Sequence, residues 1–237
     1  MTWSIIARDD RTARIGIIVA TRFFAVGAVV PHIKSGVGAI ASQAFINPYY
    51  GPAGLALLEE GQTAADTVRR LIAADEGRHN RQVHVMDRQG RSAAYTGSAC
   101  VEWCGHEIGA TFSVAGNMLV GAQVVAETAR TYEAHTATPL ARRLIAAMKA
   151  GEAAGGDKRG KQSAALLLHD AENYPLYDLR VDDHADPLAE LERLEVVARQ
   201  RWIHFRRMMP NRHDAAGLTD RGRLEGLIAA SIAEGYE

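Results

Sequence analysis

Cysteine is nearly absent: Cys100 and Cys104 are the two in a chain of 237 residues. A disulfide across their C-x3-C spacing would tie down little chain, so it excludes itself as a scaffold. A metal site there would need ligands beyond His106, and two free, partly buried thiols are expected instead. Long apolar runs are also missing. No unbroken apolar run approaches the ~18 residues of a membrane span, and "MTWSIIARDDRTARIG" lacks the basic-then-apolar layout of an export signal. A cytoplasmic protein without a membrane partner is expected. Charge imbalance is absent too, with 27 basic and 28 acidic residues, which removes the electrostatic ground for nucleic acid as a partner. No internal repeat and no glycine-rich phosphate loop after a strand occur, so no nucleotide cofactor is expected.

What is present is a large apolar share, 47% of residues, enough to bury roughly 70–75% of the unfolded chain's surface at this length. "WSIIA", the polar turn "DDRTA" and "RIGIIVA" read as a strand hairpin, and "GVGAIASQA" reads as a further strand. The pattern then switches to helical period in "GPAGLALLEEG" and "QTAADTVRRLIAADEG". Thr63 is placed to cap the second of these, with Asp66 three residues on. Strands return in "RQVHVMD" and "RSAAYTG" around a glycine turn. Helices follow in "AQVVAETARTYEAH" and "PLARRLIAAMKAGEAAGG", then strands in "KQSAALLLH" and "YDLRVD". The last segments, "DPLAELERLEVVARQRWIHFRRMMP" and "LTDRGRLEGLIAASIAEG", read as helices. Paired strands alternating with paired helices argue for an α+β fold, two stacked antiparallel sheets covered by helical layers.

Six blocks occur in order: "TWSIIARD", "VATRFFAVGAVVP", "INPYYGPAGLALL", "GNMLVG", "GGDKRGKQSAALL" and "LRVDDHADPLAEL". Together they resemble a bacterial family known only as domain of unknown function 1028, whose members look like N-terminal-nucleophile (Ntn) hydrolases. The resemblance implies a four-layer αββα sandwich over residues 1–196, leaving 197–237 as a C-terminal helical extension. It also implies that the first residue after processing, a Thr, Ser or Cys at a strand start, attacks an amide carbonyl while its own α-amine takes the proton. Thr2 fits that place if Met1 is removed. An α-amine titrates near ~7.7–8.0, close to working pH. Period-two geometry puts Ser4 on Thr2's face. Lys34 sits at the spacing of the lysine in proteasome-like members, whereas Ile18 and Thr21 occupy the region of their aspartate. Arg22 is the charged residue nearest that place.

Other residue patterns invite chemistry. Gln43 and Asn117 flank glycine-rich turns and are candidates for oxyanion donors or for turn hydrogen bonds. "GGDKRGKQS" places Asp157 and Gln162 where they could meet substrate, or simply ends a helix. In "LRVDDHADP", Asp182 and His184 share a strand face while Asp186 suits a helix N-cap, and Arg180 suits a carboxylate by two-point contact. The expectation is a metal-free Ntn-type amidohydrolase acting on a small-molecule amide. Thr2 would be its nucleophile, Lys34 or Arg22 its charge, and Gln43 and Asn117 its oxyanion donors. Ser4, Asp157, Gln162, Arg180, Asp182 and His184 would lie on the substrate side. The alternatives are a non-catalytic ligand-binding or oligomeric protein of the same fold, and a metal-assisted hydrolase using Asp182 and His184. The helical stripe with Leu194, Val197, Trp202 and Phe205 must cover its own subunit or meet a second, and a homodimer is expected.

Overall fold

The computed structural model describes residues 2–235. The chain forms two compact units, Met1–Leu191 and Glu192–Glu237. In the first, β1 (Thr2–Arg8) and β2 (Ile15–Thr21) make the expected hairpin, with Ile5 opposite Ile18 and Ile6 opposite Ile17. The Asp9 carboxylate ties the turn by accepting from the Arg11 amide and the Thr12 hydroxyl. The strands that follow are β3 (Pro31–Lys34), β4 (Gly38–Ala44), β5 (Arg81–Asp87), β6 (Ser92–Thr96) and β7 (Gly105–Ile108). Then come β8 (Phe112–Asn117), β9 (Ser163–His169) and β10 (Tyr177–Val181). They form a six-stranded sheet ordered β10-β9-β2-β1-β8-β7 and a four-stranded sheet ordered β3-β4-β5-β6. Every pairing within them is antiparallel.

Helices α1 (Tyr50–Glu59) and α2 (Ala64–Ala73) pack on the smaller sheet; α3 (Gln123–Ala134) and α4 (Leu140–Ala153) pack on the larger. This is the αββα sandwich expected from the layer count. Thr63 caps α2 as the sequence indicated, its Oγ accepting from the Asp66 amide at 3.1 Å. Gly90, at φ +83°, makes the β5–β6 turn. Gly151 lets α4 press on its neighbours: a Cβ there would collide with Thr128 and stand 3.0 Å from the Trp3 indole nitrogen. No helix among the described residues is long and apolar enough to cross a membrane.

The helix expected to run on through Met209 is broken. Helix α5 (Pro187–Gln200) ends, the backbone leaves helical geometry at Arg201 with φ −148°, and a short α6 (Trp202–Arg206) follows. The break aims the Arg201 guanidinium at Glu225 of α7 (Arg221–Ala233), at 2.6 and 3.1 Å, and lets buried His204 reach Ser231 Oγ at 2.8 Å.

The inter-sheet space changes character along β1, whose residues 2, 4 and 6 face it. Ile6 joins Ile15, Ile17, Val19, Ala39 and Met86 in a hydrocarbon layer. One pair of residues back, Ser4 enters a polar layer in which nothing meets water. Its hydroxyl donates to Gln43 Oε1 at 2.6 Å and lies 2.9 Å from His84 Nε2, while His84 Nδ1 lies 3.1 Å from Ser113 Oγ. All four residues are fully buried. Burial, reinforced by the charge of His106, pulls the His84 pKa down to about 3, so the ring is neutral. The unfolded chain, titrating near ~6.5, binds that proton first. Stability from this site is therefore complete above pH ~6.5 and falls as pH drops toward 3, by roughly 1.4 kcal/mol per unit. Urea unfolding at pH 7 and pH 5 should show about 2 kcal/mol more acid loss for the natural chain than for His84→Asn. Equal losses would mean that the ring is not buried in neutral form.

Candidate functional site at the start of the first strand

The polar layer ends at Thr2. The register that sets Trp3 opposite Ala20 puts Thr2 beside Thr21 on the same face, and the Thr2 hydroxyl donates to Thr21 Oγ1 at 3.2 Å. The Thr2 carbonyl accepts from Gln43 Nε2 at 3.2 Å and from Asn117 Nδ2 at 3.3 Å. Both amides also donate to Gln82 Oε1, at 2.8 and 3.0 Å. Gln82 in turn donates to the carbonyls of Gly116 and Gly105 and to Thr96. Two amides, from β4 and β8, thus clamp one backbone carbonyl of β1, and Gln82 of β5 joins them as their shared acceptor. This corrects the oxyanion expectation: the donors of Gln43 and Asn117 are spent on Thr2's carbonyl, on Gln82 and, for Gln43, on the Ala115 carbonyl, which makes them holders of Thr2.

Thr2 is 5% exposed, and what it faces is a cavity of about 430 Å³. Thr2, Asn80 and Asn117 are its polar lining. The rest is apolar, including Phe23, Val26, Phe45, Ile46, Cys100, Val101 and Met118, and no charged side chain lines it. The cavity exists because β4 and β8, which flank β1 from either sheet, veer off at the same level. Ala44 ends β4 at φ 69° and Met118 follows β8 at φ 56°. A side chain in the left-handed region costs on the order of 1–3 kcal/mol, and such residues concentrate at binding sites.

Each wall segment is pinned. Ser163 Oγ donates to the Phe23 carbonyl at 2.5 Å and accepts from the Val26 amide at 3.2 Å. Arg81 donates to the Phe45 carbonyl at 2.7 Å and to Asp75 at 2.9 Å. Burial pushes the Asp75 carboxyl up, yet donors from Arg81, Tyr50, Asn47 and Gly77 outweigh it and hold the group well below the ordinary carboxylate range. The Met118 amide donates to the Val101 carbonyl at 2.7 Å. Phe23, Phe45 and Val101 stand 56%, 74% and 53% exposed at the rim. Both thiols are free, and burial pushes that of Cys100, in the cavity wall, up, which keeps it protonated at neutral pH.

The remaining candidates are placed as follows. Lys34 does not join Thr2. It pairs opposite Gly38, five residues along β4 from Gln43 and so roughly 17 Å away at ~3.3 Å per residue, and it bonds Glu59 at 2.6 Å. Ile18, at an odd spacing from Thr21, faces away from Thr2 and is fully buried. Asp157 is buried and accepts from the amides of Arg22 and Arg159, bracing the turn after β2. Arg22, Lys161, Gln162, Asp183 and His184 line a separate polar cavity of about 490 Å³. Arg180 and Asp182 pair with each other at 3.1 Å. Asp186 caps α5 through the Ala189 amide, and its own amide donates to His184 Nδ1. Among the described residues no three His, Cys, Asp or Glu side chains converge as metal ligands, so Asp182 and His184 gain no third donor. Sequence reasoning missed Gln82, His84, Asn80 and the aromatic rim. It considered Thr21 only as a place where an aspartate might have stood.

No curated protein matches the chain in sequence. Among solved structures, protein SPO2555 from Silicibacter pomeroyi, of family model DUF1028, is 33% identical, with a TM-score of 0.85 over 92% of this chain and 99% of that one. Two Anbu structures lie much further off. Anbu (ancestral beta-subunit) from Yersinia bercovieri is 11% identical at TM-score 0.42, covering 83% of this chain and 94% of that one. An Anbu Gly-1 mutant from Hyphomicrobium sp. strain MC1 is 12% identical at 0.40, covering 85% and 96%. Those two carry no weight for the site. With its family model matched over residues 2–191, this chain belongs to DUF1028, a family of unknown function.

Proposed function

We propose that this protein is an Ntn-type amidohydrolase that cleaves a C–N bond of a small-molecule amide, with Thr2 as nucleophile once Met1 is removed. Met1 itself lies outside the described residues. The observation that carries the reading is the placement of Thr2: first residue of a central strand, facing a neutral cavity, its carbonyl held by two amides. A backbone carbonyl engaged on both sides fixes the torsion that aims the hydroxyl and the α-nitrogen of the same residue. Such positioning is worth large factors in rate.

In this mechanism the α-amine takes the proton of Thr2 Oγ as that oxygen attacks the substrate carbonyl. The amine then delivers the proton to the leaving nitrogen as the C–N bond breaks, and water hydrolyses the resulting ester. Gln43, Gln82 and Asn117 act through Thr2 as positioning residues. Asn80, in the cavity lining, meets the substrate's polar end. Arg22, Gln162 and His184, in the polar cavity, serve the leaving group. Lys34 has no part, and Asp157, Arg180 and Asp182 support loops. No cofactor enters the scheme, and we assign the enzyme to the cytoplasm. The runner-up, ligand binding without covalent chemistry, would use the same cavity with Met1 retained. On the second unit, exposed Val196, Val197 and Trp202 support a homodimer.

Intact mass of protein from its native source should lack Met1, Thr2→Ala should abolish amide turnover, and kcat/KM should rise with pH to a plateau above ~8. Quantitative retention of Met1 would leave the binding role in its place. Gln82→Met, which removes the shared acceptor of the clamp, should lower kcat by about 10²-fold with KM little changed; a pure KM effect would contradict a positioning role. Trp202→Glu should convert a dimer to a monomer in light scattering, and an unchanged mass would remove the second unit from the interface.

A further inference from the structure

The two cavities differ in chemistry and are separated by three consecutive residues. Thr21 bonds to Thr2, Arg22 lines the polar cavity, and Phe23 lines the apolar one. Thr2 thus lines the hydrocarbon-walled space, and its bonding partner Thr21 precedes Arg22 of the polar one, where Arg22, Lys161, Gln162 and His184 stand with Asp183. A charged group entering the apolar space would lose its hydration with no ion to pair with, a cost of several kcal/mol. An uncharged apolar group entering it gains from the burial. Val26, Phe45, Ile46, Val101 and Met118 supply that surface, and the pinned walls mean that little ordering is needed on binding. The volume of about 430 Å³ holds roughly a dozen non-hydrogen atoms at ~30 Å³ for each water-sized one.

We propose that the apolar cavity is an acyl pocket and that the substrates are N-acyl amines: an aliphatic or aromatic acyl group of up to about a dozen heavy atoms, amide-linked to a polar amine. The inference rests on Thr2 being the nucleophile and adds the direction in which the substrate lies. The acyl carbon bonded to Thr2 Oγ keeps its chain in the apolar cavity, while the amine departs toward Arg22, Gln162 and His184. The exposed aromatic rim, Phe23 and Phe45, covers the end of the longest chains.

The test uses N-acylglycines with two, four, six and eight acyl carbons, together with a six-carbon acyl chain ending in a carboxylate, and reads the glycine released. The expected result is a gain in kcat/KM of roughly fourfold per methylene, from ~0.8 kcal/mol for each CH2 buried, with the carboxylate-ended chain at least 10²-fold below its neutral counterpart. Calorimetry on Thr2→Ala, which keeps the cavity but not the nucleophile, reads binding apart from chemistry. Octanamide should bind on the order of 10²-fold tighter than butanamide with a negative heat-capacity change, and Val101→Asp should remove that preference. Turnover that is flat along the series would overturn the acyl pocket and leave the nucleophile standing. Graded binding by Thr2→Ala, with no turnover by the natural chain, would support the pocket and sink the hydrolase reading. No amide binding at all would overturn the pocket outright.

Discussion

Two sheets stacked face to face must fill the space between them with side chains, and here the filling changes from hydrocarbon to amide along a single strand. From Ile6 to Ser4 to Thr2 the inward face of β1 passes from the apolar core to a sealed hydrogen-bond layer and then to a cavity. The amide layer is the expensive part. A buried Gln or Asn that lost its partners would cost ~1–3 kcal/mol, so Gln43, Gln82 and Asn117 must be satisfied together or not at all. Gln43 and Asn117 share two acceptors, the carbonyl of Thr2 and Oε1 of Gln82. The clamp is therefore a structural necessity of a polar interior as well as a means of orienting one residue.

Much of the architecture was legible. The β1–β2 hairpin was written in two apolar runs around "DDRTA", the α2 cap in Thr63 and Asp66, and the β5–β6 turn in Gly90. Strand β7 was not, because "GHEI" is short, mostly exposed and lies at the sheet edge, where no apolar alternation is required. The broken helix at Arg201 was also hidden, since an ion pair with Glu225 and a buried His204–Ser231 contact are tertiary events that helical periodicity does not encode.

The site was half legible for a definite reason. Thr2 could be singled out because the family resemblance points to a place in the chain, and that place lies against the cavity. Gln82 and His84 could not, because in "RQVHVMD" their alternation with Val83 and Val85 looks like a solvent-facing strand side. The face is instead opposed by Ser4 and Ser113 of the other sheet. A trace existed in the composition of the buried strands: β1, β4, β5 and β8 each carry inward polar residues near the same end. Lys34 illustrates the opposite error. Its distance along the chain matched a family spacing, but strand register, which sets it against Gly38, decides proximity and puts it at the far end of the sheet.

The strain at Ala44 and Met118 fits the same logic. Had β4 and β8 run straight on, their next residues would have continued the inter-sheet packing and closed the space in front of Thr2. Each strand turns through a left-handed residue, and the cost is met by fixed partners: Arg81 on the Phe45 carbonyl, and the Val101 carbonyl on the Met118 amide. A fold that needed only stability would keep those strands extended and the interior filled. This one holds two unfavourable backbone conformations side by side and leaves a neutral cavity open where a strand begins. That combination is why the nucleophile is sought at Thr2 rather than among the more conspicuous charges near Asp182, which pairs with Arg180, and Asp186, which caps α5.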